Sequence, residues 1–199
     1  MPAARRWTLA LVCALLAALM APAVRPGSAW AAQSAIRQAE VRRTDDGYIA
    51  DLVLWVPAPP EVAFALLVDF EHMPDWVPNL RQTRVLKREA GRVTVEHQGV
   101  VHYGILTVPF TTLREISFSA PDWIRTTQIE GTMKQHQSRM DFVSEGAGTR
   151  IDYHVQMVPS VLAAMVMNER RVAADLSEHC DAIAAEILRR KMAAPSKIP

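Results

Sequence analysis

Six histidines, at positions 72, 97, 102, 136, 154 and 179, are the side chains of this chain best suited to acid–base or metal chemistry. No pair of them has the spacing of a recognised ligand set. His72 and His179 stand beside acidic residues on segments that read as solvated surface, while His102, His136 and His154 are ambiguous. His97 stands apart. In the run Arg92 to Val101 the apolar positions are Val93, Val95 and Val101, so strict alternation puts His97 and Gly99 on the same inward face. There His97 either orients a ligand, with Gly99 leaving room above the sheet, or is a core histidine hydrogen-bonded to backbone or to Tyr153.

Other chemistries are poorly served. No Gly-x-Ser-x-Gly elbow and no glycine-rich phosphate loop occurs. Cys180 falls on the apolar side of a helical pattern and reads as a small core residue. Asp51, Glu96, Glu130, Asp141 and Asp152 all have the parity opposite to the apolar set of their strands, which makes them a solvated sheet face. A general acid or base inside a cavity would have to be His97, Tyr103 or Tyr153. These residues imply no metal and no cofactor.

Composition narrows the class further. The chain has 199 residues, a formal net charge of +1, half its residues hydrophobic and 22% charged. That balance suits one soluble domain, and the absence of any Lys/Arg run beyond the start removes the electrostatic footprint of a nucleic-acid binder. At the N-terminus Arg5 and Arg6 precede an apolar run from Leu9 to about Val24, followed by Ala29-Trp30-Ala31. This is the pattern of a secretory signal cleaved near Ala31, in preference to an uncleaved anchor, because the run is short for a span and contains Pro22. The expected location is periplasmic or secreted. Cleavage leaves Cys180 as the only thiol, since Cys13 lies in the signal. The expected divisions are a signal over 1–31, a flexible leader over 32–40, a ligand-binding domain over 41–192 and a tail over 193–199.

Around the candidate residues the elements follow from periodicity. Val41 to Arg43, the turn Thr44-Asp45-Asp46-Gly47 and Tyr48 to Val56 read as a hairpin with Leu52, Leu54 and Val56 inward. Pro57-Ala58-Pro59-Pro60 stops the strand and Glu61 to Phe70 makes a short helix. Glu71 to Pro78 is limited by two prolines to a turn and a loop, yet carries Met73, Trp76 and Val77, so it is a candidate lid. Strands follow at Gln82 to Arg88, Arg92 to Val101, Tyr103 to Phe118 with Pro109 at a bulge or edge, Trp123 to Glu130, His136 to Val143 and Thr149 to Met157. The last element, Val161 to about Arg190, is one amphipathic helix capped by Ser160, with Val172, Leu176, Cys180, Ile183 and Ile187 on one face. Its length invites a break near Asn168 to Arg171.

The segments Val56-Pro57-Ala58-Pro59-Pro60-Glu61-Val62, Leu67-Val68-Asp69-Phe70 and Trp76-Val77-Pro78-Asn79-Leu80 resemble the opening of the START-like (SRPBCC) superfamily of polyketide cyclases, lipid-transport and coenzyme Q-binding proteins. Gly131, Gly148-Thr149-Arg150, Tyr153 and Pro159 fall where that pattern places them. The resemblance implies an α+β helix-grip fold, a curved antiparallel sheet wrapped around a long C-terminal helix with an apolar cavity between. It also implies binding of an apolar small molecule, a lipid, quinone or polyketide-like compound. The residues expected to meet it are His97, Tyr103, Met140, Phe142, Tyr153, Met165, Leu176 and Ile183, under Met73 and Trp76 of the lid. Transient membrane contact belongs to the same expectation. The alternatives are a cyclase or aromatase, and a module binding another envelope protein.

Overall fold

A computed structural model describes residues 35–103 and 106–193, with the side chains of Tyr103 and Leu106 outside the description. The elements run β1 (Ile36–Arg43), β2 (Tyr48–Val56), α1 (Pro60–Leu67), a 3-10 turn (Phe70–Asp75), β3 (Leu80–Glu89), β4 (Arg92–Tyr103), β5 (Leu106–Ser119), β6 (Trp123–Gly131), β7 (Gln135–Glu145), β8 (Gly148–Val158), α2 (Val161–Ala164) and α3 (Glu169–Ala193). The strands form one antiparallel sheet in the order β1-β2-β8-β7-β6-β5-β4-β3. From β3 to β8 each strand pairs with the next, as short turns require. The exception decides the architecture: between β2 and β3 the chain leaves one end of the sheet, forms α1 and the 3-10 turn, and re-enters at the far edge. That crossing segment packs on β3. The sheet is curved and not closed, and its open edges β1 and β3 carry Arg37, Arg42, Arg84, Lys87 and Arg88, which discourage edge pairing.

Period-two patterning sets the inner face. Ala50, Leu52, Leu54 and Val56 of β2 are buried, as are Ile151, Tyr153, Val155 and Met157 of β8, with Leu52 directly opposite Tyr153. Against them lie Val172, Cys180, Ile183 and Ile187 of α3, which packs on β1, β2 and α1. Each fully buried aliphatic chain contributes about 1.5–3 kcal/mol. The outer face carries the carboxylates in cross-strand or neighbouring ion pairs, Glu96 with Arg84, Asp141 with Arg139 and Asp152 with Arg150, and Asp51 is hydrogen-bonded to His154 at 2.6 Å. Pro109 stands opposite Val100, on a part of β5 that precedes its pairing with β6 at Thr112. There a missing N–H costs no ladder bond on that side.

One boundary differs from expectation. β1 starts at Ile36, inside the stretch read as a flexible leader, because Ile36 to Arg43 pair along β2 from Leu54 to Tyr48. The terminal helix is interrupted near Asn168, where its length invited a break: Ser160 caps α2 through its Oγ, 3.3 Å from the Ala163 N–H, and Asn168 starts α3 by accepting from the Arg171 N–H at 2.9 Å. A second capping residue makes a second helix. Glu186 is buried under Arg189 and Arg190, and Arg190 also reaches Asp69 at 2.7 Å, tying the end of α3 to the segment after α1. At α1, Pro59 holds the N-cap place without a side-chain bond, its carbonyl accepting from Val62 at 3.0 Å and Ala63 at 3.2 Å. Residues 1–31, read from the sequence as a signal and including Cys13, and the tail from 194 lie outside the described residues.

Candidate functional site

Between the sheet, α3 and the crossing segment lies a cavity of 260 Å³. Its roof is Met73, Trp76, Val77 and Pro78, with Leu67 and Phe70 beside them. Its floor is a set of inward strand positions: His97 of β4, Arg114 of β5, Thr126 of β6, Ser138 and Met140 of β7 and Tyr153 of β8, faced by His179 of α3. The strand side also carries Phe110, Ile116 and Ile124, so its polar groups are set among apolar ones beneath an apolar roof.

Arg114 is the feature that strand parity had to predict and that the sequence reading missed. It alternates with Thr112 and Ile116, both buried, so it points to the same face. The register between β5 and β6 shifts there, Leu113 facing Glu130 but Arg114 facing Gln128, a bulge that leaves Ile129 without a partner. A hydrogen-bond chain holds the guanidinium: its Nε donates to Thr112 Oγ1 at 3.4 Å, Thr112 donates to Gln128 Oε1 at 3.4 Å, and Gln128 donates to the Met133 carbonyl at 2.8 Å. Among the described residues no carboxylate lies within ion-pair distance of Arg114. Burial lowers its pKa, against a favourable contribution from Tyr153.

The imidazoles around it are kept neutral. Burial first, and the Arg114 charge second, push His97 down to about 3, His136 to about 3 and His179 to about 4. The His97 Nδ1 is 3.0 Å from Thr83 Oγ1. His136 Nδ1 is buried without a hydrogen-bond partner, and so is Trp76 Nε1. Tyr153 is pushed up to about 12, by burial and then by Cys180, with Arg114 and Ser138 pulling the other way. Cys180 itself is fully buried, its thiol raised to about 12, and behaves as core.

Of the ten residues expected to meet a ligand, the structure places His97, Met73, Trp76, Met140 and Tyr153 on the cavity wall. Phe142, Leu176 and Ile183 belong to the core instead: Phe142 packs edge-on against Phe64 at 5.8 Å, and Ile183 is 1% exposed. Met165 is corrected outright, being 78% exposed just beyond α2, because the helix break turns that residue away from the sheet. The Tyr103 side chain lies outside the described residues. The room above Gly99 is filled by protein: a Cβ there would meet the Asn79 carbonyl and lie 2.6 Å from the Phe110 ring. His97 proves to be partnered by Thr83, not by backbone or Tyr153.

The reading of His179 as solvated surface is also corrected. Its neighbours Glu178 and Asp181 misled, whereas its helical position, three after Leu176 and four before Ile183, was the usable signal. His136 shares parity with Met140 and joins the inward set. His72 is exposed and bonds Asp69 at 2.6 Å, which raises its pKa. His102 and His154 are exposed.

A wider cleft of 640 Å³ opens among the turn 44–47, residues 131–134 and the start of α2. It gathers no cluster of buried titratable groups and is less suited to chemistry than the smaller cavity. Among the described residues no three His, Cys, Asp or Glu side chains could hold a metal, and no helix is long and apolar enough to cross a membrane.

Comparison with known proteins agrees with this architecture. Among curated proteins no sequence match is found. Solved structures that share the fold include a STAR-related lipid transfer protein from Xanthomonas axonopodis, with TM-score 0.64, 11% identity, and coverage of 78% of this chain and 95% of that one. The Zhui aromatase/cyclase from Streptomyces sp. R1128 has TM-score 0.60 and 16% identity, covering 78% and 99%. A START superfamily protein from Mycobacterium smegmatis has TM-score 0.58 and 19% identity, covering 72% and 99%. At such identities the likeness is one of fold. A sequence profile reaches further, matching residues 56–179, from the end of β2 across α1, the lid segment and the sheet to His179. With more than half its length matched, the chain belongs to the family described as polyketide cyclase / dehydrase and lipid transport.

Proposed function

We propose that this protein binds a small molecule with an apolar body in the cavity between sheet and α3, and carries or sequesters it after export. One observation carries the reading: Met73, Trp76, Val77 and Pro78, large apolar groups on a segment with only a single 3-10 turn, roof a cavity instead of filling it. Apolar ligand surface placed there leaves water at about 25 cal/mol per Å². The cavity lies just below the roughly 300–1,000 Å³ of typical ligand clefts, so the ligand is compact. Lipid, quinone and polyketide-like bodies all satisfy this, and relatives of the same fold are described as a lipid transfer protein and as an aromatase/cyclase.

The cyclase reading draws on the polar floor of His97, Tyr153 and His179. Its difficulty is protonation. A base with a pKa of about 3 or 4 is a poor proton acceptor at neutral pH, and a phenol at about 12 is a weak acid. Binding is therefore the better use of these groups.

Two further parts belong to the proposal. Export rests on the signal pattern of residues 1–31. Transient contact with a lipid surface rests on Val161, Leu162 and Met165, which are 88%, 67% and 78% exposed around α2. Native mass spectrometry of protein purified from its own host's envelope fraction, followed by solvent extraction, tests the central claim. A co-purifying apolar compound at near-stoichiometric level is expected. Protein that arrives empty and binds no apolar compound from a host lipid extract would refute it.

A further inference from the structure

The cavity has an unbalanced charge inventory. Arg114 brings a guanidinium with five N–H donors to its floor, and among the described residues the one acceptor that meets it is the Thr112 hydroxyl. Every other titratable group facing it is neutral in the ordinary range: His97 of β4, His136 of β7, Tyr153 of β8 and His179 of α3. The carboxylates that could have paired with it sit on the outer face and are already matched, Glu96 with Arg84 and Asp141 with Arg139. A buried cation is costly unless paired, and proteins normally supply the partner.

A second observation points the same way. Trp76 Nε1, on the roof of the same cavity, is a buried donor without an acceptor. The site thus offers donors and one positive charge, and asks for acceptors and one negative charge. The Thr112–Gln128–Met133 chain holds the Arg114 fork in place before any ligand arrives, which favours a planar, two-oxygen anion.

Resting on the reading of the cavity as a small-molecule site, we propose that its ligand is a carboxylic acid, whose carboxylate pairs with Arg114 at the floor while its apolar chain or ring system lies under the lid formed by Met73, Trp76 and Val77. The proposal replaces a generic apolar ligand with an amphiphile of defined head group. It also assigns Arg114 as the residue that selects the head.

Calorimetric titration at pH 7.5 with decanoate, methyl decanoate and decanol tests it, using the folded chain and two variants, Arg114→Met and Arg114→Lys. The wild type should bind decanoate about tenfold or more tightly than the ester or the alcohol, the scale of a charge-assisted hydrogen bond. Arg114→Met should abolish that preference while keeping the affinity for decanol. Its ligand-free melting temperature should be unchanged or higher, since a half-buried charge with no carboxylate partner among the described residues has been removed. Arg114→Lys, which keeps the charge and loses the fork, should retain part of the preference and serves if the methionine variant does not fold.

Equal affinity for acid, ester and alcohol in the wild type would overturn the carboxylate assignment and leave the apolar cavity standing. A preference that survives in both variants would overturn the role of Arg114. Failure of all three compounds to bind would instead remove the cavity reading on which the proposal rests.

Discussion

Acidification from about pH 7 to about pH 5 should destabilise this protein through its interior histidines, and replacing one of them should relieve a defined share of the loss. His97, His136 and His179 have folded-state pKa values of about 3, 3 and 4 because burial, and then the Arg114 charge, disfavours the imidazolium. In the unfolded chain they titrate near about 6.5. Between these values the unfolded state binds more protons, so stability falls as pH drops below the unfolded pKa and stops falling only near the folded one. At about pH 5 each histidine costs about 2 kcal/mol, and three cost about 6, an upper figure to set against the roughly 5–15 kcal/mol of a typical domain. Carboxylates held low by ion pairs, such as Glu96 by Arg84 and Glu186 by Arg189, act in the same direction only at lower pH. His72, whose pKa Asp69 raises, acts in the opposite direction at the surface. The informative perturbation is His136→Leu, because His136 has an unpaired buried Nδ1 and is not on the cavity wall described above. Urea denaturation of both proteins at the two pH values should show the variant losing about 2 kcal/mol less than the wild type. Equal losses in the two proteins would refute the reasoning, and would mean that His136 is hydrated or charged in the folded state.

Trp76→Ala should weaken binding of an apolar ligand more than it lowers stability, and by less than the roughly 3–5 kcal/mol of a core truncation in the latter, because Trp76 is only half-buried; equal loss of melting temperature and affinity would make it simply core. His97→Phe keeps the bulk but leaves the Thr83 hydroxyl without its partner, so chemical denaturation at neutral pH should show a loss of about 1 kcal/mol. If affinity falls and stability does not, His97 serves the ligand and not the fold. Intact mass of protein from the native host should correspond to a chain beginning near Ala32; retention of residues 1–31 would make that segment an anchor. Leu162→Asp combined with Met165→Asp should lower co-sedimentation with lipid vesicles without shifting the melting temperature, and undiminished co-sedimentation would acquit α2.

Local pattern determined much of this protein by itself. Period-two alternation in β2, β4 and β8 placed Leu52, Val95 and Tyr153 inside and put the carboxylates outside, because side-chain direction along a strand depends only on parity. The 3.6-residue period did the same for Val172, Cys180, Ile183 and Ile187, and the two prolines near Trp76 restricted that segment to a roof. Distances between separate elements were not legible. Whether Phe142 and Ile183 line a cavity or fill the core depends on how closely α3 and α1 approach the sheet, and Met165 was lost to the cavity by a cap at Asn168 that redirects the chain. The polar floor was hidden for the same reason. Arg114 and His179 lie on elements far apart in sequence, and each taken alone reads as an ordinary surface residue. Only the closing of β5 and α3 around one volume removes water from both at once, and that removal brings the arginine and the histidine into a site.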